Sequence, residues 1–297
     1  MKTFASALAN RSFTVTAELP MAAPASLDDA LQQSRSLAPW VDAVQLTPNP
    51  EHPGQVSPVA LAALLLREGI DPLVRLTCRD SNRLALQGDL IGLKALGVSS
   101  LLLNRGNRLQ IPGTQTGEPV FDINCRQLIA MAADISEEGP GGPGQEFIIG
   151  TSATVASPGP GWKAKMLTTR GRSGARLLLT QPCFSVPILK RFMQRLVALR
   201  LTWNFAVVVT LAPLPGAEFA RWQLENARNA VVPKTLARAL SEAKDPRQAG
   251  INHCARLMRE IAAIPGISGV NLMTLGDTEA TIAAIEYSGL REGAAVQ

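Results

Sequence analysis

The sequence predicts a single (β/α)8 barrel that spans residues 1–297. Short β-rich apolar runs recur eight times, each followed by a polar or glycine-rich loop and then a helical stretch. The composition does not change along the chain, which favours one parallel α/β domain. Eight strands favour a closed barrel over an open doubly wound sheet, and no Gly-x-Gly-x-x-Gly follows the first strand.

The eight candidate strands are mostly continuous apolar runs rather than alternating ones. This pattern is typical of strands that are covered by helices outside and by packed side chains inside. The predicted strands are Phe13–Glu18, Ala43–Thr47, Leu73–Thr77, Ser99–Leu103, Phe147–Ala153, Arg176–Thr180, Phe205–Leu211 and Gly269–Met273.

Start and stop signals delimit the helices between these strands. Ser26 is a plausible N-cap, Ser57 precedes a proline at the first helical position, and Gly69 and Gly97 end two helices. The predicted helices are Leu27–Leu37, Pro58–Glu68, Arg83–Leu96, Cys125–Ser136, Lys163–Arg172, Val186–Leu199, Pro215–Asn226, Pro233–Ala243, Pro246–Ile264 and Asp277–Tyr287. Two Gly/Pro-rich loops, Asn104–Asp122 and Gly139–Glu146, are long, and the first follows a strand directly.

Composition narrows the class of protein. Hydrophobic residues make up 46% of the chain, too many for a disordered protein. The longest apolar runs fall far short of the roughly 20 residues that cross a bilayer. The N-terminus lacks the apolar segment of a signal peptide, so we expect a cytoplasmic protein without membrane contact.

The charge pattern argues against nucleic-acid binding. The net charge of +5 is spread along the chain, and only 4% of residues are aromatic. Solvated helix faces with some attraction for an anionic small molecule explain this excess. Four separated cysteines and two histidines do not form a metal-ligand pattern, so we expect free thiols and no bound metal.

Polar residues follow the predicted strands where barrel enzymes keep their chemistry, at the carboxyl ends. This set comprises Glu18, Thr47, Thr77–Asp80, Asn104–Asn107, Thr151, Ser152, Thr180 and Gln181. The fold would make these residues neighbours although they are far apart in sequence. They predict a functional site on this rim.

The sequence alone supports two interpretations of each candidate residue. Glu18 is either a general acid whose pKa is raised by burial, or a loop carboxylate paired with Arg105 or Arg75. The Arg105–Asn107 tripeptide is either a turn or a contact for a flat anionic ligand. Thr47, Arg170 and Gln181 are equally ambiguous by themselves.

Segments along almost the whole chain resemble methylenetetrahydrofolate reductases, especially the short bacterial type without a regulatory domain. The most specific block runs from the third to the fourth strand. The resemblance is carried by segments that include Val15–Pro20, Asp42–Thr47, Leu76–Asp80, Leu86–Leu90, Leu101–Gly106, Leu179–Gln181, Ala212–Leu214 and Gly269–Met273.

The resemblance implies reduction of 5,10-methylenetetrahydrofolate to 5-methyltetrahydrofolate in one-carbon metabolism and methionine biosynthesis. It implies FAD as cofactor and NAD(P)H as electron donor, or an electron-delivering partner subunit; a homo-oligomer stays open. Glu18 matches the acid that helps to open the folate ring, and Gln181 matches the glutamine that contacts the pterin. Thr47, Arg105, Gly106 and Arg170 match flavin-contacting positions, and Arg75 occupies a further cofactor-binding position.

The chain departs from the family pattern at three places. Asn107 stands where an aspartate normally lies near the flavin and pterin, and Arg75 replaces a histidine or glutamine. The segment Thr154–Gly161 is shortened where the family has an Asn-Pro or Pro-Glu element. A second hypothesis is therefore a divergent barrel that binds folate or a partner subunit and does not catalyse reduction.

Overall fold

The computed structural model describes residues 3–21, 27–48, 56–107, 118–138, 146–159, 161–226 and 230–291. Its eight strands are all parallel and pair in sequence order into a closed barrel. The predicted fold is confirmed. The strands are β1 (Thr14–Met21), β2 (Ala43–Pro48), β3 (Pro72–Thr77), β4 (Ser100–Asn104), β5 (Ile148–Ala153), β6 (Leu177–Thr180), β7 (Ala206–Leu211) and β8 (Ile267–Met273).

The first strand is longer than predicted. The sequence places its end at Glu18, before Pro20, but β1 continues to Met21 with Pro20 paired to Thr47 of β2. Its pairing with β8 stops at Glu18, which lies opposite Met273. Beyond that point β1 has a partner on one side only, and such an edge tolerates a residue without an N–H group.

All ten predicted helices are present within a few residues of their expected bounds. A short helix before β1 and a 3-10 turn at Leu201–Trp203 are additions to the predicted set. Ser26 and most of both long loops lie outside the described residues. The helices are α1 (Phe4–Ala9), α2 (Leu27–Leu37), α3 (Pro58–Arg67), α4 (Arg83–Leu96), α5 (Cys125–Glu138), α6 (Lys165–Arg172), α7 (Val186–Ala198), α8 (Ala217–Asn226), α9 (Lys234–Glu242), α10 (Pro246–Ala262) and α11 (Thr278–Ser288).

One of the two helix caps described below has the hydrogen bonding or conformation that the sequence predicts, and the other does not. Gly97 ends α4 in the left-handed conformation with φ +86°, as its sequence position predicts. Ser57 is the N-cap of α3, yet its side chain makes no capping hydrogen bond. No described helix is both long and apolar enough to cross a membrane.

Two hydrophobic layers hold the barrel together. The larger layer lies between strands and helices and includes Val15, Ala17 and Leu19 of β1. Since side chains alternate along a strand, the residues between these three face the barrel interior. The interior layer is small and apolar, and it consists of Phe4, Ala43, Leu73, Leu102, Leu177, Leu179 and Val208.

Helix α1 closes the amino end of the barrel. Phe4 is fully buried in the interior layer, and its backbone N–H donates to Asp71 Oδ2 at 2.8 Å. Asp71 directly precedes β3, so the plug lies at the end where the strands begin. Toward the opposite end the interior positions become polar, and the functional candidates lie there.

Candidate active site

Glu18 lies inside the barrel near its carboxyl end. It is partly buried and sits opposite Gln45 of β2 and Met273 of β8. Its carboxylate interacts with Arg75, Thr47, Asn271 and Gln45. The structure thus brings three predicted site residues, Glu18, Thr47 and Arg75, into one cluster.

Burial controls the protonation of this carboxyl group. Loss of hydration raises the pKa of Glu18 above its ordinary value. The positive charge of Arg75 and the side chains of Thr47, Asn271 and Gln45 oppose this shift without cancelling it. Glu18 therefore holds its proton to higher pH than a solvated glutamate, as a general acid requires.

Arg75 is the ionic neighbour of Glu18. Burial lowers the pKa of its guanidinium, and the Glu18 charge opposes this change. Its Nε is buried and has no hydrogen-bond partner among the described residues. Arg105, the other partner considered from sequence, instead stacks over Phe121 with its Cζ 4.3 Å from the ring centroid.

The sequence does not predict two further residues of this cluster, Gln45 and Asn271. Gln45 is 1% exposed and its Nε2 donates to Thr47 Oγ1 at 2.7 Å. Asn271 is fully buried, and its Oδ1 accepts from Thr16 Oγ1 at 2.7 Å. Their only sequence signal is a single amide inside an otherwise apolar strand, Ala43–Thr47 and Gly269–Met273 respectively.

The turn after β4 is tightly packed against the end of β3. Gly106 has φ +79°, and a Cβ there would lie 2.7 Å from Arg79 Cβ and 3.1 Å from Thr77 Oγ1. Packing within the chain is therefore enough to require glycine, which supports the turn interpretation. Arg105 and Asn107 are exposed on either side of it.

Arg170 and Gln181 extend the rim past β5 and β6. Arg170 lies on α6, and its Nη1 donates to Thr151 Oγ1 and to the Ser152 carbonyl oxygen, both at 3.0 Å. The backbone N–H of Gln181 donates to the Ala153 carbonyl oxygen at 2.7 Å. Neither Gln181 nor Asn107 is among the groups that interact with Glu18.

The first residues after β5 include one buried side chain. Val155 is 2% exposed. Further along, the Trp162 ring packs 5.9 Å from Phe192 of α7, and its carbonyl oxygen accepts from Arg195 Nη2 at 3.1 Å. These contacts fix Trp162 against α7.

Metal-ligand chemistry finds no support in the described part of the chain. No three or more His, Cys, Asp or Glu side chains there are grouped so that they could share an ion. The four cysteines are free and buried. Burial raises the thiol pKa of Cys78 and Cys183 to about 11, which keeps both protonated at neutral pH.

Comparison with known structures bears on the fold, and comparison with a family model bears on the family. No curated protein matches this chain. Two crystal structures of tryptophan synthase from M. tuberculosis match the fold, a ligand-free form of a TrpA mutant and a form in space group F222. The first has a TM-score of 0.53 and 13% identity over 97% of each chain. The second has a TM-score of 0.54 and 12% identity over 98% of this chain and 97% of that one.

At such low identity these structures bear on the barrel alone. The family model for methylenetetrahydrofolate reductase, in contrast, matches residues 26–289, nearly the whole chain. The chain therefore belongs to the methylenetetrahydrofolate reductase family.

Proposed function

We propose that this protein reduces 5,10-methylenetetrahydrofolate to 5-methyltetrahydrofolate, with Glu18 as the general acid. The observation that carries the proposal is the Glu18 carboxyl group in the barrel mouth, where burial raises its pKa. Family membership supports folate as the substrate. No other described acidic residue combines an interior position at this end with contacts from neighbouring strands.

Glu18 would act when the five-membered ring of the folate opens. The bond between the one-carbon unit and one ring nitrogen breaks, and that nitrogen takes the proton of Glu18 because an amine leaves poorly as an anion. The other nitrogen keeps the carbon as an iminium. Hydride adds to that carbon and completes the methyl group.

Arg75, a neighbour of Glu18, and Gln181, farther along the rim, support this role in different ways. Proton donation leaves a carboxylate, and the guanidinium of Arg75 stabilises that negative charge. Gln181 presents an uncharged amide, which can both donate to and accept from the edge of a pterin. Together they favour the ring-opened form in a fixed orientation.

FAD is the cofactor that the family resemblance implies, and the residues on the rim fit it. The Arg75 Nε–H is buried without a partner among the described residues, and the exposed Arg105 guanidinium presents donors to an anionic or planar group. Thr47, Arg75, Arg105, Gly106 and Arg170 would hold it. When bound, FAD carries hydride from a reduced nicotinamide to the folate.

Asn107 would alter that setting. An amide in place of the family's aspartate removes a negative charge that repels electron density entering the flavin. We expect a higher flavin potential and weaker pairing with the pterin than in relatives with the aspartate. Asn107→Asp tests this expectation, since equal flavin binding and equal turnover in both proteins would show that the substitution is neutral.

The reaction is tested by following NAD(P)H oxidation with 5,10-methylenetetrahydrofolate. Glu18→Gln should abolish turnover, a loss of at least about a hundredfold for a missing general acid, while the protein stays folded. Glu68→Gln is the matched control, because Glu68 pairs with Arg35 on the outer surface. Full turnover in Glu18→Gln would refute the role given to Glu18.

The cofactor is tested on protein purified without added flavin. Visible flavin absorbance would support FAD, and a colourless protein that still oxidises NAD(P)H with the folate would point to direct hydride transfer. A colourless protein that binds folate without oxidising any donor would refute the reductase and favour the non-reducing barrel. Restored turnover with a separate reductase would identify a partner subunit as the donor.

A further inference from the structure

We propose that Gln45 and Asn271 are positioning residues that hold Glu18 between two amide–threonine pairs and favour its carboxylate after the proton has left. They lie on the strands that flank β1, Gln45 on β2 and Asn271 on β8. The inference rests on the proposed role of Glu18 as an acid. It adds two residues for which the sequence and the family comparison give no role.

The first amide–threonine pair consists of Asn271 and Thr16, and a hydrogen bond fixes the orientation of its amide. Asn271 is fully buried, and its Oδ1 is occupied by the hydroxyl of Thr16, its register partner on β1. The amide nitrogen must therefore point the other way. The nitrogen is buried and makes no hydrogen bond among the described residues, while the Asn271 side chain is close enough to Glu18 to lower the pKa of its carboxyl group. Only a donor is presented to Glu18 from this side.

The second amide–threonine pair consists of Gln45 and Thr47, and its hydroxyl group faces onward to Glu18. Gln45 Nε2 donates to Thr47 Oγ1, so the hydroxyl proton of Thr47 is free to be donated onward. Both Thr47 and Gln45 interact with the Glu18 carboxylate. The result is a chain of donors that starts at Gln45 and ends at the carboxylate.

Each of the two amides keeps one buried polar atom, Gln45 Oε1 and Asn271 Nδ2, without a hydrogen-bond partner among the described residues. Such atoms are costly to bury, which argues that these amides serve more than packing. Lower in the barrel the interior is filled by apolar side chains such as Leu73, Leu102 and Val208. Donors directed at a carboxylate stabilise its charged form and oppose its protonation. Gln45 and Asn271 thus limit how tightly the buried Glu18 holds its proton.

The remaining charge at this site comes from β3. Arg75 is the charged group that interacts with Glu18, and the β8 residue opposite Glu18 is the uncharged Met273. Loss of either amide leaves Arg75 in place. Its contribution to the proton affinity of Glu18 is therefore common to all the variants below.

The test measures the titration of Glu18 in the full-length protein without substrate. Its carboxyl band is followed by difference infrared spectroscopy and assigned by its absence in Glu18→Gln. Asn271→Leu and Gln45→Met keep the side-chain size and remove the donors. Each should shift the Glu18 midpoint upward by about one pH unit, the value of one hydrogen bond to a charged group.

Thr210→Val is the matched control. Thr210 lies on β7 opposite Asn271, is 3% exposed, has a hydroxyl without a partner among the described residues and is not among the groups that interact with Glu18. Its loss should leave the midpoint unchanged. An unchanged midpoint in both amide variants overturns the proposal, as does an equal shift in Thr210→Val. If Asn271→Leu does not fold, Gln45→Met alone decides between these outcomes.

Activity separates this inference from the proposed function. If the protein is the reductase, the alkaline limb of its pH–rate profile should move upward by the same amount as the Glu18 midpoint. Shifted midpoints in a protein that never turns over the folate would refute the reductase and leave the positioning of Glu18 intact. Normal turnover with unshifted midpoints would do the opposite.

Discussion

At the scale of single residues, contacts on the rim distinguish positions that packing requires from positions that surround the Glu18 carboxyl group. Gly106 matches a flavin-contacting position by resemblance, yet the space beside it is filled by Arg79 and Thr77. The resemblance gives no role to Gln45 and Asn271, yet both side chains lower the pKa of the Glu18 carboxyl group. Contacts in the folded chain therefore rank these residues differently from motif matching.

Gly106→Ala should destabilise the protein by about 2 kcal/mol or more, because its positive φ strains an L-residue and its Cβ would clash with Arg79. Gly88→Ala is the control. Gly88 lies on the exposed side of α4, where an added Cβ would have nothing within 4 Å, and alanine there should add about 0.5–1 kcal/mol. Urea unfolding of both variants measures the difference, and similar free energies of unfolding would contradict the packing argument.

At the scale of elements, α1 links the chain start to the barrel through a titratable group. Burial, the largest effect, and the nearby charge of Asp42 together raise the pKa of Asp71 to about 6. The backbone N–H of Phe4 and the Ser99 hydroxyl oppose the shift. The carboxyl that anchors α1 therefore titrates near neutral pH.

This anchor predicts a pH dependence of stability. Since the pKa of Asp71 is higher in the folded than in the unfolded chain, its contribution is fully present below about pH 4 and is lost as pH rises through about 6. The loss amounts to about 3 kcal/mol at most. Asp71→Asn, which can still accept from Phe4, should remove this part of the dependence.

Chemical unfolding at pH 4.5 and pH 7.5 measures this effect. The control is Asp28→Asn in the exposed first turn of α2, which should keep the dependence of the unmodified protein. Comparison with the unmodified protein removes the contribution of other buried acids such as Glu18. An equal pH dependence in Asp71→Asn and the unmodified protein would show that Asp71 is not the titrating group.

At the scale of the whole molecule, the sequence predicts the barrel well because its strands are apolar runs punctuated by caps and glycines. Helix α1 escapes prediction because six residues near a chain end give too short a pattern, although Thr3 and Ser6 form a capping box. Gln45 and Asn271 escape it for another reason. Their approach to Glu18 depends on the register of three strands, which no local pattern encodes.

Phe4 and Glu18 lie toward opposite ends of the barrel. The Phe4 side chain fills the amino end within the apolar interior layer, whereas Glu18 lies toward the carboxyl end. Phe4→Ala should therefore cost about 3 kcal/mol of unfolding free energy through the cavity it leaves. Leu84→Ala, at a side chain 78% exposed on α4, should change it by less than about 0.5 kcal/mol.

The two ends can be tested independently in the same variant. Phe4→Ala should keep the Glu18 titration midpoint of the unmodified protein at temperatures where it remains folded, because the apolar layer separates Phe4 from the polar cluster. Urea unfolding and difference infrared titration measure the two quantities. A shifted midpoint would show that the amino-end plug and the acid are coupled, and a small loss of stability would show that α1 does not close the barrel.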